Sequence, residues 1–223
     1  MDKFIWGFAS RDEVYDAAAA AEQAALDIDP DLAVAWSARA RRTEKFDWDF
    51  ERAETFHKRA VETDPEDAGL AHTYGMGLSV YTDRYDEAIE QVRRSVALEP
   101  TLPLYRVDLA EVMMAAGRFD DAAEILEQVA ESDPDAFLLY LLRGYLRIVT
   151  GQYEEAILDA RKALDLSADR RHLEYLACAL FLAGRTEEGH AALQEFEQLS
   201  KTEYIQEAEL GMVYLAMGDH DRA

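Results

Sequence analysis

The pattern of apolar and polar residues along this chain repeats with a nearly fixed step. Four similar phrases, "AALDIDP", "AVETDP", "SVALEP" and "VAESDP", end at Pro30, Pro65, Pro100 and Pro134, which are 35, 35 and 34 residues apart. A further step of 34 reaches Ala168 after "KALDLS", where the phrase survives without its proline. The clearest unit is 103–134, with Leu109-Ala110, Gly117, Phe119, Ala122, Val129 and Pro134. The next unit repeats it as Arg143-Gly144, Gly151, Tyr153, Ala156, Ala163 and Ala168, and looser copies return in "GRTEEG" and "GDHDRA". A period of this length predicts stacked supersecondary units rather than one irregular core. Proline cannot continue a helix, so each phrase marks a helix end. Small residues recur in register at Ala40, Gly75, Ala110, Gly144, Ala177 and Gly211. Two helices approach closely only where one side chain is nearly absent, so these positions predict tightly packed helix pairs.

This pattern resembles the tetratricopeptide repeat: a large residue, a Leu-Gly-like pair, Tyr or Phe, two alanines and a proline over 34 residues. Trp36, six residues after Pro30, stands at its early aromatic position. The resemblance implies an all-α fold, an α–α superhelix of antiparallel helix pairs forming one solenoid over 1–223. The expected boundaries are a partial first repeat over 1–30, with a short apolar lead at 2–9 and a helix near 12–27. Repeats follow at about 31–65, 66–100, 101–134, 135–168 and 169–200, and an incomplete one spans 201–223. The elements "DWDF" at 47–50 and "FEQLSK" at 196–201 are similar to one subgroup of such arrays. That subgroup lies C-terminal to bacterial and archaeal signalling modules, including winged-helix regulators, adenylate cyclases and Ser/Thr kinases.

One stretch breaks the helical pattern. In "TEKFDWDFERA" at 43–53, Phe46, Trp48 and Phe50 alternate with Asp47, Asp49 and Glu51. Alternation suggests a half-buried strand, and alternating acids suggest a cation loop. The repeat register places the stretch between the two helices of the second repeat, where the 35-residue spacing adds one residue. The expectation is therefore a longer turn, with Asp47 or Asp49 capping the next helix and the three aromatic rings packing the turn onto its neighbours.

Composition agrees with helices: 49% hydrophobic residues, only five prolines, and alanine, leucine and glutamate abundant. The net charge is −23, from 46 acids and 23 bases. Such a chain repels phosphates and anionic lipid, which disfavours nucleic acid and membrane surfaces as partners. Five lysines against 18 arginines fits either a solvated acidic surface or a salt-adapted source. A single cysteine, Cys178, allows no disulfide framework. No apolar run approaches the ~20 residues that span a bilayer, and "MDKFIWGFAS" is a poor secretory signal. A cytoplasmic protein is the expectation. The sequence stops at "GMVYLAMGDHDRA", where a further helix is due. That would leave Leu210, Val213, Tyr214 and Met217 poorly covered. The expectations are a fragment of a longer protein, or a homodimer through the uncapped end.

The sequence offers little chemistry. His57, His72, His172, His190 and His220 form no i, i+4 pair or His-Glu-x-x-His pattern, and there is no Gly-rich phosphate loop. No catalytic residue, metal site or cofactor is expected. The resemblance implies instead a concave face lined by the first helix of each pair. Its inward positions map onto Ser37, Arg41, Lys45, His72 and Met76 in the early repeats. In the middle and late repeats they map onto Val107, Glu111, Met114, Leu138, Leu141, Tyr145, Ile148, Cys178, Phe181 and Met212. Leu141, Ile148 and Phe181 fit either a groove or the packing between helices. The apolar second set suits an amphipathic helix or extended peptide. The Lys/Asn clamp by which the family grips C-terminal carboxylates is largely missing: its positions hold Ser37, Arg41, His72, Met76, Val107 and Glu111. The expected function is a non-catalytic scaffold binding a protein, or a neighbouring domain, through that face. The alternative is a regulatory arm of a larger signalling enzyme or transcription regulator.

Overall fold

The computed structural model describes residues 11–167, 169, 172–199 and 207–222. The apolar lead expected at 2–9 and the phrase-ending Ala168 lie outside them. Among the described residues every regular element is helical. The chain divides into two compact units, one running to Arg118 and the other starting at Phe119.

The first unit holds α1 (Arg11–Ile28), α2 (Ala33–Arg42), α3 (Phe50–Thr63), α4 (Ala68–Tyr81), α5 (Tyr85–Leu98) and α6 (Pro103–Ala115). The second holds α7 (Phe119–Ser132), α8 (Phe137–Val149), α9 (Tyr153–Leu166), α10 (Leu173–Leu182), α11 (Thr186–Leu199) and α12 (Glu207–Met217). Within each unit consecutive helices pack as hairpins: α2 with α3, α4 with α5, α8 with α9, α10 with α11. The first helix of each hairpin also touches the first helix of the next, as α2 with α4, α4 with α6, α8 with α10, and α10 with α12. Within each unit these first helices form a row, which is the arrangement the repeat predicts.

The repeated residues build the repeated geometry. Pro30 O accepts from Trp36 Nε1 at 2.9 Å, and Pro134 O accepts from the Tyr140 hydroxyl at 2.7 Å. In these two repeats an aromatic residue six positions after the proline thus ties the start of the hairpin to the preceding helix end. Arg39 lies over the Trp36 ring and Arg143 over Tyr140, again at matching positions. Gly151 adopts φ 80° after α8, and the next amide, Gln152 N, donates back to Arg147 O at 2.7 Å. This closes the helix in the left-handed conformation that glycine adopts without steric cost. Gly117, Gly184 and Gly218 end their helices the same way. Gly75 serves contact instead: a Cβ there would meet Val92 Cγ2 at 2.6 Å and Ala88 O at 2.9 Å. The α4–α5 hairpin therefore closes only without a side chain at 75.

The irregular stretch is neither strand nor loop. Thr43–Asp47 continues α2 as a single π turn, which accommodates the extra residue. Trp48 then takes a left-handed conformation (φ 55°), and Asp49 caps α3 by accepting from Arg52 N at 3.1 Å. Phe46 is buried edge-on to Tyr15 of α1, and Phe50 stacks on Tyr81 of α4. Trp48 departs from the packing expectation. It is 69% exposed, in the left-handed residue that follows the π turn, with its ring edge-on to Phe50.

The second unit has a large core in which Ile157, Leu173, Leu180, Phe196 and Val213 are fully buried. On α12 the expectation of a poorly covered face is corrected in detail. Val213 is fully buried, and Leu210, Tyr214 and Met217 pack partly against the core, while Met212 and Leu215 on the other side of the helix are exposed. No described helix is long and apolar enough to cross a membrane.

Candidate binding pockets on the first helices

Each unit carries a pocket on its row of first helices. In the first unit it has a volume of about 310 Å³. Arg41, Glu44 and Lys45 line one side, and His72, Thr73, Met76, Gly77, Val80 and Tyr81 line the other. Four sequence-predicted residues, Arg41, Lys45, His72 and Met76, meet here. His72 is not a loose ligand: its Nε2 bonds Asp108 Oδ2 at 2.6 Å, and its ring lies against Tyr105, so it also joins α4 to α6. Behind this pocket, Glu44 and His57 form a buried pair, with His57 stacked on Tyr74. Arg42 points the opposite way and pairs with buried Glu22 of α1 at 2.9 Å.

In the second unit the pocket has a volume of about 270 Å³. Tyr145 and Ile148 of α8, Glu174, Tyr175 and Cys178 of α10, and Ala208, Glu209 and Met212 of α12 line it. It unites four more predicted residues, Tyr145, Ile148, Cys178 and Met212. Tyr145 is 38% exposed and Met212 51% exposed, so they form the rim, whereas Cys178 is 8% exposed. Burial, together with the charge of nearby Glu209, pushes the Glu174 carboxyl up to about 7, while a hydrogen bond from Tyr175 works the other way. Burial and the Glu174 charge push the Cys178 thiol up to about 12. Low-dielectric surroundings disfavour the charged form in both groups.

The remaining predicted residues lie elsewhere. Ser37, Val107, Met114 and Phe181 are buried. Phe181 sits edge-on to His190 and directly over Gly189, where a Cβ would come within 2.9 Å of its ring, so it packs α10 on α11. Leu138 and Leu141 are half-buried on α8, and Glu111 is exposed on α6. Sequence reasoning passed over Glu174 and Glu209. The available signal was helical register: Glu174 precedes Cys178 by four residues and Glu209 precedes Met212 by three, so each shares a face with a predicted residue. Among the described residues no three His, Cys, Asp or Glu side chains converge as a metal set.

Models of the tetratricopeptide repeat match residues 81–144 and 138–170. No curated protein sequence matches the chain. Several solved structures share its fold. The Cut9–Hcn1 hetero-tetramer of the APC/C matches with a TM-score of 0.74 at 17% identity. That match covers 92% of this chain but only 40% of the Cut9–Hcn1 chain. PilW, a widely conserved type IV pilus biogenesis factor, matches at 0.73 and 19% identity, covering 91% of this chain and 92% of PilW. A thermophilic TPR protein of Thermus thermophilus matches at 0.59 and 21% identity, covering 66% of this chain and 81% of that one. Tetratricopeptide repeats thus span residues 81–170, and the same hairpin geometry recurs in both units.

Proposed function

We propose that this chain is a non-catalytic scaffold that binds a protein partner through the first-helix faces of its repeats. The observation that carries this reading is the convergence of eight sequence-predicted residues into two pockets, one per unit, on those faces. The partly exposed Tyr145 and Met212 at the late rim supply the aromatic and methionine contacts that adaptable peptide-binding surfaces use. Two proteins of similar fold, one in the Cut9–Hcn1 hetero-tetramer of the APC/C and the other a type IV pilus biogenesis factor, support the same reading.

The test is site-specific photo-crosslinking in cells that produce the protein. A crosslinking residue replaces Tyr145 on α8, or Leu158 on α9, which is 65% exposed on a second helix. A discrete protein adduct from position 145 and none from 158 is the expected result. Equal adducts from both positions, or none from either, would overturn the reading.

A further inference from the structure

The turn between α2 and α3 presents a large apolar ring to solvent. Trp48 is 69% exposed and takes φ 55° and ψ 27°. A bulky side chain in this left-handed region is rare and strained, whereas glycine fits there without cost. The ring is nevertheless held in place. It stands at 73° to Phe50 with centres 6.1 Å apart, and Phe50 stacks on Tyr81 of α4 at 4.9 Å. A ladder of three rings thus runs outward from half-buried Tyr81 to Trp48. It lies on the α4 side of the turn, since Phe46 turns to the other side, against Tyr15 of α1. The flanks of the indole are acidic: Asp47, Asp49 and Glu51 are all exposed. The α3 N-terminus offsets only about half a charge of these three. The bases nearest in sequence face elsewhere. Arg41 and Lys45 line the early pocket, Arg42 bonds Glu22, and Arg52 lies over the Phe56 ring.

An aromatic face with carboxylates beside it selects its occupant. Anionic lipid is repelled by the three acids, and an apolar surface would have to desolvate them. A guanidinium meets both parts: it is planar, stacks on an indole and donates to carboxylates. The chain already uses this pairing internally, with Arg39 5.2 Å from the Trp36 ring centre and Arg42 4.8 Å from that of Tyr15. We propose that Trp48 is the docking point for an arginine of a basic partner segment. The guanidinium stacks on the indole, and the carboxylates of Asp47, Asp49 and Glu51 hold its charge. The net charge of −23 draws such a segment toward the chain, and the exposed ring gives it a place to stop. This surface is separate from the first-helix pockets, so it adds a second contact to the scaffold and does not depend on the first.

The test uses the full chain with nitrogen-labelled tryptophan, read by the indole N–H signals. The signal missing from Trp48→Gly identifies Trp48, and Trp36, whose indole bonds Pro30 O, is the internal control. The probes are acetyl-Arg-Gly-Arg-Gly-Arg amide and its neutral counterpart with citrulline in place of each arginine, at physiological salt to screen distant charges. A saturable shift of Trp48 with an unmoved Trp36 is expected, with the arginine peptide binding on the order of fivefold more tightly. Asp47→Asn with Asp49→Asn should shrink that preference, since asparagine keeps the α3 cap while removing charge. Trp48→Gly should abolish it and unfold in urea no earlier than wild type, because glycine relaxes the left-handed backbone. Equal response to both peptides, or an arginine preference that survives Trp48→Gly, would overturn the proposal. So would a clear loss of stability in Trp48→Gly, which would make the ring a packing residue. Crosslinking from Tyr145 reports on the first-helix pockets independently of all these outcomes.

Discussion

His57 of α3 donates from Nε2 to Glu44 Oε1 at 2.9 Å, joining the second helix of a hairpin to the π turn that ends the first. Both side chains are buried, and Gly77 of α4 lies directly over the bond. A Cβ at Gly77 would stand 2.5 Å from Glu44 Oε1 and 3.3 Å from His57 Nε2. Three residues of three elements thus share one polar contact inside an apolar hairpin stack. Removing one partner leaves the other buried without its hydrogen bond. His57→Ala should lower unfolding free energy by about 2–4 kcal/mol in urea denaturation. Gly77→Ala should cost about 1–3 kcal/mol by overpacking. Losses under ~0.5 kcal/mol for both would mean that water solvates this contact.

Asp159 presents a second buried polar centre, with a different geometry. Arg143 Nη2 donates to its Oδ1 at 2.8 Å and Arg147 Nη1 to its Oδ2 at 2.6 Å, so one carboxylate of α9 holds two arginines of α8. Asp159 is buried, whereas the arginines keep outlets to Glu127. Asp159→Ala should destabilise by about 3 kcal/mol, because it strands two guanidinium groups against an apolar hairpin. Glu127→Ala, at the solvent end of the same network, should cost less than ~1 kcal/mol. Thermal unfolding of the two variants measures the contrast, and similar values would contradict the buried-centre account.

The repeat register carried most of the fold. Prolines at a 34–35-residue step located the helix ends, and Trp36 and Tyr140 bond back to Pro30 and Pro134 at the positions that step assigns. Local composition alone did not fix the side-chain environment inside a helix. Leu141, Ile148 and Phe181 follow one spacing, yet Phe181 is committed to Gly189 while Ile148 reaches a pocket. That difference depends on a glycine of the partner helix, which the pattern of a single helix does not contain. The polar ties were also hidden. Glu44–His57, His72–Asp108 and Arg42–Glu22 join residues 13, 36 and 20 positions apart, and their identity follows from three-dimensional register rather than from motif spacing. Trp48 departs from the packing expectation for a similar reason: the π turn and the left-handed residue after it are not encoded in the alternation of aromatic and acidic residues.

Cys178 tests how dry the late pocket is. Its thiol is pushed up to about 12 by burial and by the Glu174 charge. The thiolate is the reactive species, so native protein near neutral pH should react with iodoacetamide on the order of 10³-fold more slowly than the urea-unfolded chain. Alkylation of native protein at the unfolded rate would show that solvent and reagent reach the thiol freely, against the burial seen here.

Glu174 gives the last prediction its sign. The carboxyl titrates near 4.5 in the unfolded chain and at about 7 in the folded one. Below the lower value both states carry the proton, and Glu174 imposes no electrostatic cost. As pH rises between the two values, the unfolded state loses its proton first, so stability falls; above about 7 the full cost is present. Glu174→Gln removes the titration and its repulsion with Glu209. The variant should therefore match wild type near pH 4 and exceed it near pH 8, by about 1–2 kcal/mol after discounting for partial solvent access. Paired urea titrations of the two proteins across this range isolate the effect from every other ionisable group. A stability difference that stays constant with pH would place the Glu174 carboxylate in solvent rather than in the pocket wall.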